Sequence, residues 1–98
     1  TNAYADTTLW HNLIWTYSGT STVAGNKIYI DGSSVPLTSI TDKLSASILN
    51  NVALQVGNRN GSFNFNGNLD EVIIENRDWT TAQVVKYYTY SKGRFGII

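Results

Sequence analysis

Residues 9–17 read L-W-H-N-L-I-W-T-Y. Leu9, His11, Leu13, Trp15 and Tyr17 alternate with Trp10, Asn12, Ile14 and Thr16. An apolar and aromatic run of period two sends successive side chains to opposite faces, which is the mark of a β-strand. Trp10 and Trp15 lie five positions apart, so they face opposite sides of that strand, and one of them is expected in a core. Outward from this strand, residues 18–26 (S-G-T-S-T-V-A-G-N) form a loop with two glycines. Residues 27–30 make a short strand with Ile28 and Ile30 on one face. Asp31 and Gly32 both tolerate the left-handed backbone of a type I′ hairpin turn, so the chain reverses there. Residues 35–38 return, and Pro36 puts them at a sheet edge or a strand end.

Residues 39–51 fit a loop or a short helical turn. Residues 52–56 read as a strand, with Val52, Leu54 and Val56 alternating against Ala53 and Gln55. Residues 57–62 (G-N-R-N-G-S) are a polar loop with an Asn-Gly turn signal. Phe63 and Phe65 resume the alternation, and Asn66-Gly67-Asn68 turns or bulges the chain. Residues 69–76 (L-D-E-V-I-I-E-N) read as the longest strand. Its centre is apolar on consecutive positions, so both of its faces are expected to be covered.

One helix follows. Thr80-Thr81-Ala82-Gln83 has the capping-box pattern, in which the Thr80 hydroxyl and the Gln83 side chain satisfy each other's backbone amides. Trp79 before the cap and Val84 after it have hydrophobic-staple spacing. The helix should run to about Tyr90 and turn Val84 and Tyr87 or Tyr88 to a sheet. Lys86 and Lys92 fall near its C-terminal end, where cations are favoured. Gly93 is the expected stop. Residues 94–98 (R-F-G-I-I) form a last strand or an anchor onto a neighbour. No internal repeat or linker interrupts residues 1–98, which read as one domain.

Composition narrows the function classes. Hydrophobic residues make up 42% and charged residues 14%, too little charge for a disordered chain. Seven Lys plus Arg balance seven Asp plus Glu, so no basic excess exists to neutralise phosphates, and nucleic acid is not an expected partner. No run of 18 apolar residues spans a membrane. Without cysteine there is no disulfide and no thiolate metal site. The start at Thr1 and the lack of methionine read as a processed product or a piece of a longer protein. Abundant Asn, Thr and Ser with scattered aromatics suit an extracellular, cell-surface or virion-surface β-protein.

The order W-H-N-L-I-W-T-Y, I-Y-I-D-G, L-Q-V-G, F-N-G-N-L-D-E-V-I-I and W-T-T-A-Q-V-V-K-Y-Y resembles the laminin G-like jelly roll of the concanavalin A-like lectin/glucanase superfamily. The likeness covers residues 10–88. It implies an all-β fold: an antiparallel β-sandwich, abbreviated or the C-terminal part of a longer jelly roll, with one short helix near the C-terminus. Strands that precede the Trp-His strand in that family are reduced to residues 1–8. The resemblance therefore implies either an abbreviated fold or sheets completed by another chain or by upstream strands of a parent protein.

The chemistry available to such a scaffold is sparse. His11 is the single histidine, and the resemblance makes it a packing or hydrogen-bonding position. Glu71 and Glu75 on one face of a strand would lie about 13 Å apart. Both hydrolytic geometries need roughly 5 to 9.5 Å, so no glycosidase pair and no catalytic residue is expected. Asp70 follows Gly67-Asn68-Leu69, which looks like the family's Gly-x-hydrophobic-Asp signature. It is read as a calcium ligand or as a carboxylate that bonds loop amides at a strand entry, the second being preferred. Asn58, Arg59 and Asn60 occupy a loop where some relatives hold sugar or calcium ligands. Amides and a guanidinium bond sugar hydroxyls, but a loop without a carboxylate makes a poor calcium site. Two functions remain: a noncatalytic module that recognises a glycan or protein, or a structural module of a virion, pilus or cell-surface appendage.

Overall fold

The structure is a computed structural model of the chain, and it describes residues 8–38, 45, 51–59 and 61–96. Its contacts divide into two units, Thr1–Ala46 with Arg77–Ile98, and Ser47–Asn76.

The first unit contains strands β1 (Leu13–Tyr17), β2 (Asn26–Ile30) and β3 (Ser33–Val35) and helix α1 (Thr81–Ser91). The strands pair antiparallel in the order β1-β2-β3. Leu13 lies opposite Ile30, Ile14 opposite Tyr29 and Thr16 opposite Lys27; Tyr29 in turn faces Ser34, and Ile28 faces Val35. Directly opposed residues share a sheet face, so this register sorts the side chains. One face carries Ile14, Thr16, Lys27, Tyr29 and Ser34. The other carries Leu13, Trp15, Tyr17, Asn26, Ile28, Ile30, Ser33 and Val35.

The expected strand over residues 9–17 is shorter than its pattern, starting at Leu13. Trp10 and His11 precede it and are held by other partners. The Trp10 ring sits 5.2 Å from that of Phe95, and His11 bonds Asp31. Trp15, on β1, is 70% exposed, so neither tryptophan of this stretch is a core residue. Among the described residues, the sheet buries Thr16 and, at 1% exposure, Tyr29. Tyr29 faces α1, and its phenol oxygen lies 2.9 Å from Thr81 Oγ1.

The β1–β2 connection is closed by Ser18 N–H donating to Gly25 O at 2.9 Å and contains a 3-10 turn, Val23–Gly25. The β2–β3 turn has the expected form. Asp31 (φ 51°) and Gly32 (φ 81°) are both left-handed, as a two-residue I′ loop requires. The return strand starts at once, at Ser33, and ends before Pro36 rather than running over residues 35–38. Gly32 has a second reason to be glycine. A Cβ there would come 2.7 Å from Tyr88 Cδ1 of the helix.

Helix α1 is capped as its sequence dictates. Thr80 Oγ1 accepts from Gln83 N–H at 3.2 Å, and Gln83 Oε1 accepts from Thr80 N–H at 2.9 Å. Val84 is fully buried, and Tyr88 lies against the β2–β3 turn. Trp79 packs on Tyr87, ring centroids 5.4 Å apart. The α-helix itself ends at Ser91, close to the expected Tyr90, but the stop expected at Gly93 falls three residues later. A 3-10 turn, Lys92–Phe95, continues the helix, and Gly96 at φ 72° ends it. Residues 94 and 95 are therefore helical rather than a last strand, and residues 97–98 lie outside the described residues.

The second unit departs from expectation. Residues 52–56 and 69–76, read as strands, are not strands among the described residues. Val52, Leu54, Val56, Val72, Ile73 and Ile74 are all exposed. A strand exists only as one side of a ladder, and alternation in one segment does not by itself supply the other side. Glu71 at φ 52° also breaks the extended run. Nearly all of residues 39–51 lie outside the described residues.

Candidate functional site

The loop residues chosen from sequence fall on a tight hairpin of the second unit. Arg59 N–H donates to Ser62 O at 2.8 Å, and Ser62 N–H donates to Arg59 O at 2.9 Å. That reciprocal pair spans two residues, Asn60 and Gly61, the positions of the Asn-Gly signal. Gly61 has φ 77°, and Gly57 at the base has φ 83°. Phe65 N–H donates to Gly57 O, which closes a wider ring around the same turn.

This closure orders the side chains on either side. The Arg59 guanidinium carbon lies 5.6 Å from the centroid of the Phe63 ring. That distance places a cation over an aromatic face. Phe63 is 81% exposed and stands at φ 54°, a left-handed backbone that costs a bulky residue on the order of 1–3 kcal/mol. Asn58 is exposed beside Arg59. Asn60 lies outside the described residues. The arrangement therefore offers a five-donor guanidinium fork, one amide and an open apolar ring face within one turn of chain. Sequence reading singled out Asn58 and Arg59 but missed Phe63. Its signal was present, four residues from Arg59 and across a two-residue turn.

Asp70 Oδ1 accepts a hydrogen bond from Glu71 N–H at 2.7 Å. The carboxylate thus holds the backbone amide of the residue that turns left-handed. Among the described residues, no three His, Cys, Asp or Glu side chains cluster as a metal site would. The 13 Å expected between Glu71 and Glu75 assumed a regular strand, which the structure does not have there, so that spacing no longer bears on hydrolysis.

His11 meets a carboxylate that sequence reading had placed only in a turn. Its Nδ1 lies 2.7 Å from Asp31 Oδ2. An ionised carboxylate only accepts, so Nδ1 is assigned the proton. Asp31 Oδ1 accepts from Asn12 N–H at 2.9 Å, and Asp31 N–H donates to Asn12 O at 2.9 Å. Both carboxylate oxygens are engaged in clamping the chain ahead of β1 to the β2–β3 turn. This is the hydrogen-bonding role expected of His11.

Comparison with known proteins returned one family. A laminin G-like family model, described as the concanavalin A-like lectin/glucanases superfamily, matches residues 1–85. The searches of curated proteins and of solved structures found no match. The three-stranded antiparallel sheet, the C-terminal helix and a family match over most of its length lead to one conclusion: the chain belongs to the laminin G-like family of the concanavalin A-like superfamily.

Proposed function

We propose that this chain is a noncatalytic recognition module of an extracellular or surface protein, and that residues 57–63 contact its ligand. One observation carries the reading: the hairpin that holds the Arg59 guanidinium over the exposed Phe63 ring. A guanidinium and an amide beside a bare aromatic face match a sugar, whose hydroxyls accept hydrogen bonds while its C–H face stacks on the ring. Family membership supports the same class, because domains of this kind are mostly noncatalytic binding modules, although glycosidases share the superfamily. Asp70 serves the backbone in this reading, and calcium is not required.

The test is a glycan array followed by titration of the best ligand. Arg59→Ala and Phe63→Ala should each weaken binding about tenfold or more, the loss expected of a contact worth roughly 1.4 kcal/mol. Uniform silence on the array, or full affinity in both variants, would remove the loop from consideration.

A second reading has its own observation. The sheet face of Leu13, Trp15, Ile28, Ile30 and Val35 is uncharged and mostly apolar, Asn26 and Ser33 being its polar residues, with Leu13 and Trp15 largely exposed. Such a face calls for a second sheet to complete a sandwich, whether from a parent protein or from another chain. On that reading the domain is an assembly element of a virion, pilus or cell-surface appendage, and its mass in solution is the deciding measurement.

A further inference from the structure

Beside the buried phenol of Tyr29, the first unit has a surface cavity of about 370 Å³. Its walls come from the 3-10 turn, β2, β3, the chain after Pro36 and the first residue of α1. Lys27, Tyr29, Ser34 and Thr81 supply the polar lining, and Val23 and Leu37 part of the apolar wall. The volume lies in the range of small-molecule sites, roughly 300–1,000 Å³.

The hydrogen-bond inventory of this cavity is one-sided. Lys27 offers three N–H donors and, among the described residues, has no carboxylate partner. Ser34 has no side-chain partner among the described residues, so its hydroxyl hydrogen is available. Tyr29 and Thr81 share one hydrogen bond, which uses one of their two hydroxyl hydrogens. The other is left to donate into the cavity. Asn26 also lines the wall, but its oxygen already accepts from Trp15 Nε1 at 3.0 Å, and its nitrogen donates to Thr22 O at 3.1 Å. Among the described residues, no carboxylate faces the space.

From this we infer that the cavity binds a small polyhydroxylated carboxylate, with the anion on Lys27, oxygens on the Ser34 and Tyr29–Thr81 hydroxyls, and C–H surface on Val23 and Leu37. Charge-assisted hydrogen bonds to a carboxylate are about twice as strong as neutral ones, which makes the ammonium the selective element. The site uses no residue of the Arg59 hairpin and stands or falls without it.

Glucuronate and glucose are the matched probes, since they differ at one carbon, carboxylate against hydroxymethyl. Titration of the intact chain with glucuronate, followed by backbone amide NMR, should shift Lys27, Ser34 and Thr81 saturably. Glucose should bind about tenfold more weakly or not at all. Lys27→Met should weaken glucuronate at least about tenfold, Lys27→Arg should largely retain it, and Lys86→Met, at an exposed position of α1 outside the cavity, should leave it unchanged. Lys27 is exposed, so these variants leave the core intact. Equal binding of the two sugars, full affinity in Lys27→Met, shifts confined to other residues, or no saturation by about 20 mM would each overturn the proposal.

Discussion

Asp31 accepts from His11 Nδ1 and from the Asn12 amide while its own backbone turns left-handed to close the β2–β3 loop. The three tasks separate by substitution. Asp31→Asn keeps the left-handed tolerance and an oxygen for Asn12 but loses the charge on His11. Asp31→Ala loses both hydrogen bonds and adds backbone strain. The expected cost of Asp31→Ala is about 2–4 kcal/mol, and that of Asp31→Asn about 1 kcal/mol, measured by urea denaturation. Equal stability of the two variants would show that the side chain does no clamping. At this scale much was legible. Asp31-Gly32 named its own turn, and Asn60-Gly61 placed the hairpin that carries Arg59. The His11–Asp31 contact was not legible, because the residues are twenty positions apart and meet only once β1 and β2 pair.

Among the elements, α1 shows how local chemistry decides a boundary. Thr80 and Gln83 satisfy two amides that an uncapped helix would leave to water, so the start of the helix follows from four residues. Thr80→Ala should cost about 1 kcal/mol, seen as a lower urea midpoint with unchanged slope. Thr80→Ser should be near neutral, and an equal loss in both variants would argue against the cap. The α-helix ends at Ser91, close to the expected Tyr90, but the helical turns stop at Gly96 rather than Gly93, and the two glycines carry the same local signal. The 3-10 turn that packs Phe95 against Trp10 carries the chain past Gly93, and that contact is not local. Residues 69–76 fail as a strand for a related reason. Their consecutive apolar residues were read as a strand covered on both faces, yet the covering elements are not part of the segment.

For the molecule as a whole, the uncharged face of β1–β3 is the feature with consequences. Leu13 and Trp15 stand open on it, opposite the face where Tyr29 is buried and bonds Thr81 of the helix. If the face is an assembly surface, light scattering coupled to gel filtration should report a mass above one chain of 10.8 kDa, and Trp15→Lys should return it to one chain. A wild-type chain at monomer mass would exclude self-assembly through this face. Sequence by itself determined the family, the β2–β3 turn, the capped helix and the polar hairpin. The family rests on the order of motifs along the chain, and the other three rest on residues close together, where dihedral preference and short-range hydrogen bonds suffice. Only tertiary structure decided that Tyr29 rather than a tryptophan is buried, that His11 meets Asp31, that Phe63 lies under Arg59, and that one sheet face is closed by a helix while the other is open. Period two says that a strand has two faces. Which of them is covered depends on what the rest of the chain brings to it.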